Sequence, residues 1–80
     1  MFTATKIETE ILKILNNLNT QKSEFPKEEQ IIEAICKNRE KDFAVTPQII
    51  KNALEGCIEK GFATPTGNGI KITEEGKKQI

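Results

Sequence analysis

Up to Gly61 the apolar residues of this 80-residue chain recur at steps of three and four; after it they fall into two short β-prone runs around a turn. That change of period, from helical to strand-like, constrains the fold more than any other feature. In the first run Ala4, Ile7, Ile11, Ile14 and Leu18 form a helical stripe that Leu12 and Leu15 widen. Thr5 and Glu8 stand at capping-box spacing, which predicts a helix over about 5–18 whose end frays at Asn16, Asn17 and Asn19.

A second helix is expected to begin with Pro26 at its first position, where a missing N–H costs nothing, and Glu28 and Glu29 suit its positive end. Ile31, Ile32, Ile35 and Cys36, with Ala34 beside them, give it one buried face as far as about residue 38. The charged stretch Lys37–Asp42 reads as a solvated helix end and connector, with Phe43 and Val45 tucking its far side onto the core. Thr46-Pro47 is a cap followed by a first-turn proline, and Gly61 is a stop signal, so a third helix spans about 47–60. Ile50, Ala53, Leu54, Cys57 and Ile58 face inward along it; Gly56, mid-helix, costs about 1 kcal/mol against alanine, which suggests close packing or mere tolerance.

Beyond Gly61, Phe62-Ala63-Thr64-Pro65 and Ile70-Lys71-Ile72-Thr73 flank Thr66-Gly67-Asn68-Gly69, whose glycine and asparagine residues are expected to supply positive φ in a hairpin turn. Pro65 cannot donate to a ladder and belongs at an edge or at the turn. Thr73-Glu74-Glu75 caps a short last helix that ends with Lys77, Lys78 and Ile80. The fold class is therefore mainly α with a small β-hairpin (α+β), in one domain over 1–80.

Apolar residues at 36% and charged residues at 30% describe a globular chain rather than a disordered or membrane-embedded one. No apolar run approaches the roughly 20 residues of a membrane span, and the N-terminus has no secretory pattern, so the expectation is a cytoplasmic protein. Cys36 and Cys57 fall on apolar helix faces as small hydrophobes; their spacing fits no zinc pattern and there is no histidine, so neither metal nor cofactor is expected. Without histidine, a glycine-rich phosphate loop or a nucleophile beside a base, catalysis is not expected either.

Two segments resemble the winged helix-turn-helix superfamily, the MarR and PadR classes of bacterial and archaeal regulators above all. Leu54-Glu55-Gly56-Cys57-Ile58-Glu59-Lys60-Gly61-Phe62 is similar to the end of that family's third helix, and Ile70-Lys71-Ile72-Thr73-Glu74-Glu75-Gly76 to its second wing strand running into a Thr-x-x-Gly turn. The resemblance implies a three-helix core with a C-terminal wing, a recognition helix over about 47–60, and double-stranded DNA as partner, as in a small prokaryotic transcription regulator. It puts Thr46, Gln48, Lys51 and Asn52 toward the major groove, with Arg39, Lys41, Lys71 and Asn68 as further DNA contacts. The chain departs from the family in a wing tip without arginine or lysine, in a longer connector before the third helix, and in lacking the long terminal helices with which many such regulators dimerise.

Charge argues the other way. Twelve basic residues balance twelve acidic ones, and Lys51 and Lys60 are matched by Glu55 and Glu59 within 46–61. A protein-interaction module that binds no DNA, or a homodimer, is the alternative, with Phe2, Phe43, Ile49 and Ile80 as the apolar residues available to a partner.

Overall fold

The computed structural model describes residues 3–39 and 44–80. The order is α1 (Lys6–Asn16), α2 (Glu28–Asn38), α3 (Pro47–Glu59), β1 (Ala63–Thr66), β2 (Gly69–Ile72) and α4 (Glu74–Lys77), the expected mainly helical plan with an antiparallel hairpin after three helices. Phe2, and Phe43 with residues 40–42 of the connector, lie outside the described residues, while Val45 packs against the core as expected. Among the described residues no helix is long and apolar enough to cross a membrane.

The α1 capping box forms as expected: the Glu8 N–H donates to Thr5 Oγ1 (3.2 Å) and the Thr5 N–H donates to Glu8 Oε1 (2.8 Å). The buried stripe is turned from the expected one. Ile11, Leu12 and Leu15 are fully buried, while Ile7 and Ile14 pack at the margin. At the centre of the stripe, one turn before Leu12, lies Glu8, only 3% exposed. Its Oε1 also accepts from Lys60 Nζ at 2.8 Å, and this ammonium is what allows a carboxylate into the packed face. Across the crossing stands Gly56: a Cβ there would lie 2.5 Å from Glu8 Oε2, so the mid-helix glycine answers to close packing.

The end of α1 corrects a second expectation. Instead of fraying, the chain continues through a wider π-helical turn at Asn17–Gln21 and closes with Ser23 in the left-handed region (φ 54°), where the Glu24 N–H reaches back to the Leu18 carbonyl (2.8 Å). Asn19 is thereby aimed at the hairpin. Its Oδ1 accepts from the Ile72 N–H (2.7 Å), and its Nδ2 donates to the carbonyls of Glu24 (2.8 Å) and Ile70 (3.4 Å). Helix α2 begins at Glu28 rather than at Pro26; Pro26 is buried in the preceding extended segment, where its carbonyl accepts from the Ile70 N–H (2.8 Å). Gly69, at φ +137°, lies so close to the Phe25 carbonyl that a Cβ would collide with it.

These bonds explain Pro65. The register pairs Pro65 with Ile70 and Ala63 with Ile72. Because Ile70 and Ile72 turn their N–H groups outward to Pro26 and Asn19, positions 65 and 63 turn theirs away from β2, and a proline at 65 removes no ladder bond. It also interrupts the donors on the free edge of β1, which discourages pairing with another strand. Gly67 and Asn68 do not carry the expected positive φ, which falls on Gly69 and Gly61. The Thr66 hydroxyl organises the turn instead, accepting from the Asn68 N–H (3.2 Å) and donating to the Gly69 carbonyl (2.5 Å).

Two outcomes test the α1–α3 crossing. Gly56→Ala, stabilising by helix propensity alone, is expected to lower the urea midpoint because the methyl group displaces the Glu8 carboxylate from its place. Burial pushes the Glu8 carboxyl up, but the hydrogen bond and charge of Lys60 and the bonds to Thr5 outweigh it, leaving the carboxyl below its ordinary 4.5. A carboxyl held lower in the folded than in the unfolded chain contributes stability above about pH 4.5 that is lost as the pH falls through the folded value. Denaturation measured between pH 7 and pH 2 is expected to show this loss in the parent and a flatter dependence in Glu8→Gln.

Candidate nucleic-acid interface

Helix α3 starts where Thr46 and Pro47 dictate. The Ile49 N–H donates to Thr46 Oγ1 (3.3 Å), proline occupies the first turn, and that turn contains no acidic residue of its own. Ile50, Leu54 and Cys57 are buried, and Ala53 and Ile58 pack beside them. The opposite face is open to solvent: Gln48, Ile49, Lys51, Asn52, Glu55 and Glu59 are all exposed.

Within this face Gln48 Nε2 donates to Asn52 Oδ1 at 3.0 Å, joining the two amides one helical turn apart. Lys51 lies on the α2 flank, its Nζ 3.9 Å from Glu28 Oε1, with both side chains some 40–47% exposed. Such a pair is weak, on the order of 0–1 kcal/mol, and solvent or a competing anion can replace it. Ile49 lies on the other flank and is 39% exposed. Thr46 spends an oxygen lone pair on its cap and keeps its hydroxyl hydrogen as a donor. The N-terminal two turns thus carry amides, one cation and one aliphatic group; the acidic residues of the face, Glu55 and Glu59, lie toward the other end.

The other expected contacts are not gathered there. Arg39 turns to α1, with its Nε and Nη2 each 2.6 Å from Glu10 Oε2, beside a groove lined by Lys6, Thr9, Glu10 and Lys13. Lys41 lies outside the described residues. Asn68 is exposed at the hairpin turn and Lys71 on the outer face of β2, opposite Thr64. The hairpin is rooted at the far end of α3, where the Phe62 N–H donates to the Cys57 carbonyl (2.8 Å).

One residue of this surface, Glu28, is expected from the sequence only as part of a helix start, and nothing local indicates that it meets Lys51. Ile49, expected as an apolar residue available to a protein partner, is exposed on the same face.

Among the described residues no group of histidine, cysteine, aspartate or glutamate could hold a metal ion. Both cysteines are free thiols; burial first, and the Glu8 charge second, push Cys57 up to about 12. No protein-family description, curated protein or solved structure matches the chain.

The thiol environments predict unequal reactivity. With a disulfide reagent near pH 8, half-buried Cys36 is expected to react in the native protein while Cys57 reacts only as fast as the chain unfolds. Equal rates for the two would contradict the burial of Cys57.

Proposed function

We infer that this chain is a DNA-binding winged-helix protein, with the first two turns of α3 as the part that enters the major groove and the hairpin as its wing. The observation that carries the reading is the composition of that exposed surface: hydrogen-bonding side chains and a cation on a helix whose own first turn holds no acidic residue. The helix dipole there favours a phosphate, while Gln48 and Asn52 have the chemistry to meet base edges. A small transcription regulator is the role that fits such a module.

Few phosphates are neutralised on this arrangement. Lys51 is the one cation on the reading turns, and it already has a carboxylate neighbour in Glu28. DNA must displace Glu28 to engage it, so affinity is modest and falls gently with salt.

A second reading, docking of a protein on the same face, is favoured by the exposure of Ile49 and by the balance of Lys51 with Glu55 and Glu59. The two readings part on one titration. With a short mixed-sequence duplex followed by fluorescence anisotropy, DNA binding predicts that Lys51→Glu weakens binding about tenfold, whereas Glu28→Gln strengthens it about twofold to fivefold by releasing Lys51. Absence of salt-dependent binding, or indifference to both substitutions, would leave the docking reading in its place.

A further inference from the structure

We propose that the reading turns of α3 select an A·T base pair, with Gln48 and Asn52 recognising the adenine and Ile49 the C5-methyl group of a thymine. The proposal rests on the DNA-binding reading above and adds the sequence that reading leaves open.

The amide pair carries the first half. With one Gln48 Nε2 hydrogen given to Asn52 Oδ1 at 3.0 Å, the exposed pair keeps an acceptor, Gln48 Oε1, and donors, the hydrogens of Asn52 Nδ2. In the major groove adenine presents a donor at N6 and an acceptor at N7, which complements that order. Guanine presents acceptors at both N7 and O6, so Gln48 Oε1 would face another acceptor with no hydrogen between them. Cytosine offers a donor at N4 and no acceptor for Asn52. The intramolecular bond also limits the rotamers of both side chains before DNA arrives, which reduces the ordering cost of binding.

Ile49 carries the second half. It stands three residues before Asn52, so it neighbours that amide on the helix surface, and it remains 39% exposed. Thymine alone among the four bases places a methyl group in the major groove, and an aliphatic side chain gains by covering it. An exposed isoleucine beside an adenine-matched amide pair is thus accounted for by a single base pair or by two adjacent ones. Glu55 and Glu59, farther along the face, restrict this reading to the N-terminal turns.

The test changes the DNA and leaves the protein intact. Duplexes selected by the full chain from a pool with a randomised centre are expected to hold A·T pairs at the selected position. Replacing the contacted thymine by uracil, which removes only the methyl group, is expected to weaken binding about threefold to fourfold. Ile49→Ala should bind the thymine and uracil duplexes equally while keeping the adenine preference. Salt-dependent binding that requires Lys51 but ignores both the methyl group and the base would overturn this proposal and leave the DNA-binding reading standing. Failure to bind any duplex would overturn both.

Discussion

Where α1 crosses α3, the carboxylate of Glu8 lies between Gly56 and the ammonium of Lys60, and the placement of α3 depends on that contact. A buried charge is tolerated when its partners are close and its hydrogen bonds are made; here the Thr5 N–H and Lys60 Nζ both stand 2.8 Å from Oε1. The arrangement joins the start of α1 to the end of α3, with the Glu8 carboxylate in the space that a side chain at position 56 would take. With α1 on one side and α2 on the other, α3 has a single uncovered face, and the side chains of the candidate interface are those left on it.

The hairpin is held by a different device. A two-stranded ribbon alone is marginal in water, and here the outer edge of β2 is satisfied by Asn19 and by the Pro26 carbonyl. Thr73 and Gly76 close the other side: the Thr73 hydroxyl donates to the Gly61 carbonyl (2.5 Å) and accepts from the Gly76 N–H (3.1 Å), and a Cβ at Gly76 would collide with the Phe62 carbonyl. The Thr-x-x-Gly segment and Gly61, on which the family resemblance partly rests, thus have structural duties in this chain, close packing at Gly76 and a positive φ of 81° at Gly61. They say how the ribbon is attached, and the chemistry of any partner must be argued from the α3 face instead.

On that face the balance is fine. The chain has no net charge, and several of its cations are engaged by carboxylates: Arg39 by Glu10, Lys60 by Glu8 and, loosely, Lys51 by Glu28. Long-range steering toward a polyanion is therefore weak, and a nucleic-acid role must rest on short-range complementarity. The order of donors and acceptors across Gln48 and Asn52, and the methyl-sized contact that Ile49 offers, are the kind of features such a role requires.

Element types and their order were legible in the sequence because the signals are local. Apolar period, the caps at Thr5, Thr46 and Thr73, the proline at 47 and the glycine at 61 each act within a turn or two of chain, and the exposed flank of α3 follows from its own stripe. Boundaries slipped where a distant group competed. Pro26 was taken from α2 by the Ile70 amide, and Asn19 from a frayed end by Ile72. Tertiary structure alone decided that Glu8 is buried, that Arg39 turns to α1 and that Lys51 meets Glu28. Each of these depends on which helix faces cross, and a charged side chain's partner is set by that crossing rather than by its neighbours in the chain.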